Sequence, residues 1–310
     1  MAAPGDAAIP WVICFAFFML FISSVHGMTL ATWNVQTFFD STTEGTEYEQ
    51  FIENGAKWND TQYLDRCKRT ANIIAMIDAD VIILEEIEGE NCLIDLYNQT
   101  PNFFDLKRVY KYATFAKEEG ASIGIGVFSR KEIYDVRLHS VYLKDKNAAT
   151  TRPIISFKVK DKERELTIFA NHWKSKRGNG ENIRALQEKT LSFFIRRETN
   201  PVVALGDFNM DNREFVSIDG KKALRAFSKA DTTLIQSVWD TSSINSGSYV
   251  YRGEWERIDN IFYTFSVLLE TFCVIREEEL IDENGFPKGF SLYKKGGYSD
   301  HLPLKASIKL

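Results

Sequence analysis

An α/β sandwich, with two mixed β-sheets packed face to face and flanked by helices, is the fold class this sequence predicts. Three observations point to it. Short apolar runs rich in β-branched and aromatic residues recur along the chain, only two long stretches show helical periodicity, and the elements come in mixed order rather than strict β-α alternation. With 310 residues, 44% hydrophobic and 26% charged, the chain can bury one substantial core. No internal repeat, low-complexity tract or Pro-rich or Ser-rich linker divides residues 28–310, which predicts a single domain there.

Taken in order, strands are expected over residues 29–33, 81–84, 123–128, 154–159, 167–170, 202–205, 258–263 and 301–308. The last of these alternates cleanly, with Leu302, Leu304, Ala306 and Ile308 on one face and Pro303, Lys305 and Ser307 on the other, as a strand with one buried face does. Residues 63–77, with Leu64, Ile73, Ile74 and Ile77, and residues 182–196, with Ile183, Leu186, Leu191 and Phe194, read as amphipathic helices covering the sheets. No glycine-rich phosphate loop follows any strand, which excludes the dinucleotide-binding and P-loop classes.

Residues 1–27 differ from the rest. The apolar run at 11–25, ending in Val25-His26-Gly27, reads as a signal peptide, although it lacks a leading Lys or Arg and carries Asp6. At about 15 residues it is short for a bilayer-spanning helix, which needs roughly 20. The expectation is a secreted or periplasmic chain, monomeric and without stable membrane association once the leader is gone. Of the four cysteines, Cys14 lies in this leader, and Cys67, Cys92 and Cys273 make neither a disulfide framework nor a zinc pattern. A net charge of −5 gives no general attraction to polyanions, so any nucleic-acid contact must come from a local basic surface.

Polar groups gather where the apolar runs stop or start. Asn34 follows the first strand, Glu85 and Glu86 the second, Asn171 and His172 the fifth, and Asp207 and Asn209 the sixth; Asp259 opens the seventh, and Asp300-His301 the eighth. One strand's end and its antiparallel neighbour's start share a rim, so all six segments can face one cleft. Glu86, Asp207, Asp259 and Asp300 would then repel one another, by roughly 4 kcal/mol for two charges about 4 Å apart at an effective dielectric of 20. A cation relieves this. Carboxylate and amide oxygens suit Mg²⁺, Mn²⁺ or Ca²⁺, whereas a tri-histidine zinc site would need His139, which lies in no motif. Singly, a Gly-Asp-Phe-Asn run is a turn, Asp300-His301 a cap and Glu85-Glu86 a solvated loop. Turn chemistry does not explain their joint occurrence with two histidines and a Trp-Asn pair.

Thr32-Trp33-Asn34-Val35-Gln36-Thr37-Phe38, Ile83-Leu84-Glu85-Glu86-Ile87, Asn171-His172-Trp173-Lys174-Ser175-Lys176, Leu205-Gly206-Asp207-Phe208-Asn209, Arg257-Ile258-Asp259-Asn260-Ile261 and Ser299-Asp300-His301-Leu302-Pro303 together resemble the endonuclease/exonuclease/phosphatase superfamily, deoxyribonuclease I-like. The resemblance implies a four-layer α/β sandwich, Mg²⁺ or a related ion, and phosphoester hydrolysis. By motif, Asn34, Glu86 and Asp300 resemble its metal-site residues. His172, Asp207, Asn209, Asp259 and His301 resemble its catalytic set, with Asp259 orienting His301 and either Asp207 or His301 as base. Arg152, Asn209 and Lys174 resemble phosphate-binding residues. A carboxylate partner for His172 is expected in that branch, and Glu118 and Glu119 are only loosely placed for it.

Substrate must be read from the loops. Lys174-Ser175-Lys176-Arg177 and the aromatic segment 249–255 fit a nucleic-acid backbone, so nicking of DNA with little base preference is expected. Rival readings are a lipid or inositol-phosphate phosphoesterase, against which stands the absence of a Cys-Asp-Arg run at Arg257-Ile258-Asp259, and a non-catalytic toxin subunit or binding protein.

Overall fold

The computed structural model describes residues 27–53, 57–142, 152–178, 180–218, 220–223, 235–294 and 296–310, so the expected leader at 1–27 lies outside the described residues except for Gly27. The strands are β1 (Met28–Phe38), β2 (Val81–Ile87), β3 (Tyr112–Ala116), β4 (Gly124–Ser129), β5 (Tyr134–His139), β6 (Ile154–Asp161), β7 (Arg164–His172) and β8 (Val202–Asp207). They continue with β9 (Val216–Ile218), β10 (Lys221–Ala223), β11 (Ile235–Ser237), β12 (Tyr249–Tyr251), β13 (Glu254–Glu256), β14 (Asp259–Thr264), β15 (Leu268–Val274) and β16 (Leu304–Lys309). Four α-helices join them: α1 (Glu49–Glu53), α2 (Asp60–Ile77), α3 (Glu90–Gln99) and α4 (Gly180–Ile195).

Two six-stranded mixed sheets result, in the orders β15-β16-β1-β2-β4-β3 and β11-β14-β8-β7-β6-β5. Each has one parallel pair at its centre, β1 with β2 and β7 with β8. The central strands read as unbroken apolar runs because both faces are covered. In β1, β2 and β8 the alternation divides neighbours between layers. Leu30, Val81, Ile83, Val203 and Leu205 fill the space between the sheets; Ala31, Trp33, Ile82 and Leu84 face outward into the cluster shared with α2 and α3; Val202 and Ala204 face α4. The expected four layers are present, with helices on both outer sides.

The eight expected strands and two expected helices all form. Leu64, however, is half exposed, and the buried stripe of α2 is instead Tyr63, Arg66, Cys67, Thr70, Ala71, Ile73, Ile74 and Ile77. Asn59 caps this helix through its side chain, and Asp78 in the left-handed region ends it. The three described cysteines are free, with Cys67 and Cys92 buried. Among the described residues no helix is long and apolar enough to cross a membrane.

The strand ends near the polar motifs differ from expectation. β1 runs past Asn34 to Phe38 through a bulge in which Gln36 and Thr37 have φ of 53° and 46°, and β2 runs past Glu85 to Ile87 with Glu86 at φ 66°. Asn34 and Glu85 are therefore the last residues paired in register before an irregularity and Glu86 lies within one, all three inside strands rather than beyond strand ends. A bulge adds a residue to one strand and re-aims the side chains after it. His301 precedes the regular part of β16 and makes only an isolated bridge to Tyr249.

Gly206 sits one residue before Asp207 with φ of +138°, and a Cβ there would lie 1.9 Å from the Asn171 carbonyl oxygen on the neighbouring strand. Gly206→Ala is expected to cost at least about 2 kcal/mol, combining backbone strain with a clash that only backbone movement can relieve. Urea denaturation measures it, and an unchanged midpoint would show that the strand accommodates a side chain here.

Candidate active site

One rung of the second sheet carries three of the expected groups. β7 pairs with β8 at His172↔Asp207, and β14 pairs with β8 at Asp259↔Asp207. These residues share parity with Ala170, Leu205 and Ile261, which lie in the core between the sheets. From the opposite sheet, Thr32, Asn34 and Glu85 share parity with Leu30 and Ile83 of the same layer. The site is thus the polar continuation of the inter-sheet core at one mouth of the sandwich. Asp300 and His301 approach it from the segment before β16, where Trp33 Nε1 donates to the His301 carbonyl at 3.1 Å and Ser299 Oγ donates to the Asn34 carbonyl at 2.5 Å.

Asn34 Nδ2 donates to Asp207 Oδ2 at 3.1 Å and to Glu86 Oε1 at 3.3 Å, while its Oδ1 accepts from Gln36 N at 2.9 Å. The amide thus bridges two carboxylates. Glu86 Oε2 accepts from Thr37 N at 2.7 Å. Asp207 also accepts from Asn209 N at 2.7 Å and Asn209 Nδ2 at 3.0 Å, so with Asn34 it has three N–H donors. Burial, then the charge of Asp259, raises its pKa to about 7. Burial likewise raises Asp300, against the pull of His301 and with added repulsion from Glu86.

The two histidines have opposite characters. His172 Nε2 lies 2.7 Å from Arg152 Nη1. A guanidinium only donates, so that nitrogen accepts and the imidazole is neutral. Burial, with the charges of Arg152, His301 and Lys174, holds His172 well below the usual histidine range, although Glu86 and Asp207 oxygens stand 3.6 Å away. His301 Nδ1 is 2.8 Å from Asp259 Oδ2. Burial opposes its charge, but Asp259, through its charge and hydrogen bond, and then Asp300 and Asp207 outweigh burial and raise its pKa well above the usual value. Asp259 Oδ2 also accepts from Ser248 Oγ at 2.5 Å, and nothing in the sequence around Ser248 signals this.

All ten site residues expected from the sequence are in or beside this mouth. Glu118 is not: it accepts from Ser140 Oγ at 3.1 Å, so the carboxylates near His172 are Glu86 and Asp207. His139 is also elsewhere, bonded to Ser156 and packed on Phe194. The sequence reading missed Glu85 as a site residue. It is fully buried beneath Asp207 and Asp259 and accepts from Thr32 Oγ1 at 2.5 Å; its Oε2 has no partner, and burial raises its pKa strongly. The signal was present in Glu85-Glu86 but only the inward parity of the first glutamate reveals it.

Above the site opens a cleft of about 810 Å³, lined by Arg152, Lys174, Arg177, Tyr48, Tyr249 and Tyr251 together with Glu86, Asp207, Asn209, Asp300 and His301. Burial and the charges of Arg152 and Arg177 lower the Lys174 pKa, the mark of cations crowded together. Lys176 also lines the cleft, paired there with Glu214 at 3.2 Å and Glu256 at 3.2 Å. Trp255 of the aromatic segment packs edge-on against Phe286 rather than lining the cleft.

Residues 29–309 match the Endonuclease/Exonuclease/phosphatase family over almost the whole described chain. The chain belongs to the endonuclease/exonuclease/phosphatase family. Among solved structures, truncated TDP2 from Caenorhabditis elegans is 14% identical with a TM-score of 0.59, covering 91% of this chain and 97% of that one. The mannosyl-6-phosphatase of Bacteroides thetaiotaomicron VPI-5482 is 16% identical with a TM-score of 0.61, covering 91% and 100%. D. rerio TDP2 complexed with single strand DNA product is 14% identical with a TM-score of 0.57, covering 91% and 99%. At these identities the likeness shows the fold. No curated protein sequence matches the chain significantly.

The donor set fits a hard divalent cation, the type of ion members of this fold generally use. The buried carboxylates of Asp207 and Asp259 and the partly buried ones of Glu86 and Asp300 converge here, and Asp259 Oδ1 is buried without a partner. Among the described residues, donor atoms of Asp207, Asp259 and His301 lie within 4.8 Å of one another.

Removing the Asp259 charge leaves burial as the dominant influence on His301, so the folded-state pKa of this histidine falls in Asp259→Asn. Protonated His301 is then lost at lower pH, and the alkaline limb of the rate profile is expected to move acidward. His301→Ala should lose at least about a hundredfold in turnover, and adding Asp259→Asn to it little more. Rate profiles of the three variants check this; an unmoved limb would assign it to another group.

Proposed function

We propose that the chain is a secreted, divalent-metal-dependent phosphodiesterase that cuts DNA with little sequence preference. The observation that carries the reading is the placement of Arg152, Lys174 and Arg177 in the same cleft as the Asp207 rung, in a chain whose overall net charge is −5. Cations gathered in the cleft hold a phosphate backbone where the reacting groups are. Tyr48, Tyr249 and Tyr251 add faces on which sugars or bases can rest.

Glu86 and Asp300 would hold the cation, with Asn34 keeping Glu86 and Asp207 apart, and the bound ion would neutralise charge on a phosphoryl oxygen. Asp207, steadied by three N–H donors, takes a proton from the attacking water. His301, kept protonated by Asp259, stabilises the growing phosphate charge and supplies a proton to the leaving oxygen. Neutral His172, held by Arg152, keeps that guanidinium directed at the phosphate. The apolar run at 11–25 supports export, and mass spectrometry of the mature chain from its host should find it beginning near Met28.

A phosphomonoesterase acting on a small phosphorylated substrate is the second reading. Its support is the presence of Arg152, Lys174 and Arg177 in one cleft, which suits a doubly charged terminal phosphate.

With supercoiled plasmid and Mg²⁺ the protein should nick without base preference, and EDTA should abolish the reaction. Lys174→Gln combined with Arg177→Gln is expected to raise the plasmid KM and flatten the fall of rate with salt, by about one to two units of the log-log slope, while sparing a small model diester. Hydrolysis of sugar or inositol phosphates with plasmid left intact would replace the nuclease by the second reading. Full activity in EDTA would remove the metal.

A further inference from the structure

The bulge in β1 is gripped from below by a buried cation. Arg66 of α2 is 2% exposed, and among the described residues it has no carboxylate at ion-pair distance. Its Nη1 donates to the Thr37 carbonyl at 2.8 Å, and its Nη2 donates to the Val35 carbonyl at 3.0 Å and to the Gln36 carbonyl. The guanidinium lies over the Phe290 ring at 3.4 Å and the Phe38 ring at 4.8 Å. A charge removed from water without a counter-ion is costly, and here three successive carbonyls and two aromatic faces offset that cost. Only a planar fork can reach three carbonyls at once while stacked.

The opposite side of the same three residues faces the candidate metal site. Thr37 N donates to Glu86 Oε2 at 2.7 Å, and Gln36 N donates to Asn34 Oδ1 at 2.9 Å. Gln36 Oε1 accepts from Asp300 N at 3.0 Å and Phe290 N at 2.7 Å. The backbone reaches this arrangement only with Gln36 and Thr37 both in the left-handed region, at φ of 53° and 46°. Non-glycine residues adopt that region rarely and keep it only when their surroundings impose it.

We propose that Arg66 is the positioning residue of the metal site. By gathering the carbonyls of Val35, Gln36 and Thr37 it turns the N–H groups of Gln36 and Thr37 and the Gln36 side chain toward Asn34, Glu86 and Asp300. The inference rests on the reading that Glu86 and Asp300 hold a cation. It assigns the geometry of that site to a residue that touches neither metal nor substrate.

Three variants test it. Arg66→Met keeps the length and the aromatic contact but donates to no carbonyl, Arg66→Lys restores one ammonium, and Gln36→Ala cuts only the tie to Asp300. Each is examined for thermal midpoint, for the Mg²⁺ concentration giving half-maximal rate, and for kcat at saturating Mg²⁺. Arg66→Met is expected to raise the Mg²⁺ requirement at least about tenfold, the scale for groups that orient metal ligands, with kcat largely recovered at saturation. Arg66→Lys should fall between it and wild type. Gln36→Ala should raise the requirement severalfold with a thermal midpoint near wild type, and it decides the matter if the Arg66 variants do not fold. Folded variants with the wild-type Mg²⁺ response overturn the inference, whatever their midpoints. A wild-type enzyme that ignores Mg²⁺ instead overturns the metal-dependent function on which the inference rests.

Discussion

Asp207 has His172 on one side of it and Asp259 on the other along a single rung of the sheet, and much of the site follows from that adjacency. Strand pairing fixes neighbouring residues at about 5 Å whatever their charge. Two carboxylates and an imidazole are therefore held together by backbone hydrogen bonds far from the rung itself. Their mutual repulsion is managed locally. Asn34 and Asn209 donate to Asp207, Ser248 and His301 donate to Asp259, and the pKa of Asp207 still rises to about 7. What remains unbalanced is a demand for positive charge, which a cation and a phosphate-binding arginine are suited to meet.

The position of the rung explains how the chain can hold such groups at all. Between the sheets the filling is apolar, from Leu30 and Val81 to Val203 and Ile261, and it gives way to Thr32, Asn34, Glu85, Asp207 and Asp259 at one end. The polar groups inherit the rigidity of the core on which they stand, and of these five Asp207 lines the cleft. Bulges do the final aiming. Regular strands would place alternate residues straight up and down, whereas left-handed residues at Gln36, Thr37 and Glu86 turn donors and carboxylates inward.

The cleft above is more selective in charge than the sequence suggests. Of the basic loop after His172, Lys174, Lys176 and Arg177 all line it, but Lys176 is neutralised by Glu214 and Glu256 and so straps the loop to the β12–β13 hairpin. Tyr249 stacks obliquely on His301 at 4.8 Å, linking that hairpin to the reacting centre. Charge for a phosphate and stiffness for the wall that presents it come from adjacent residues.

From the sequence alone came the two-sheet architecture, the eight strands with buried faces, both long helices, the family and ten of the groups now found in or beside the mouth. These were legible because burial writes a pattern: a strand covered on one face alternates, and a strand covered on both is continuously apolar. The strands missed in the two large sheets, β3, β5, β11 and β15, are the four edge strands, where exposed residues such as Tyr112, Val136, Leu138 and Leu268 erase that pattern. Tertiary structure alone decided that Asn34 borders a bulge and Glu86 lies in one, that Glu85 points inward, that Lys176 is paired and that Ser248 and Arg66 serve the site. Each of these depends on a partner between 11 and 80 residues away, and local sequence carries no record of the distance between segments that only packing brings together.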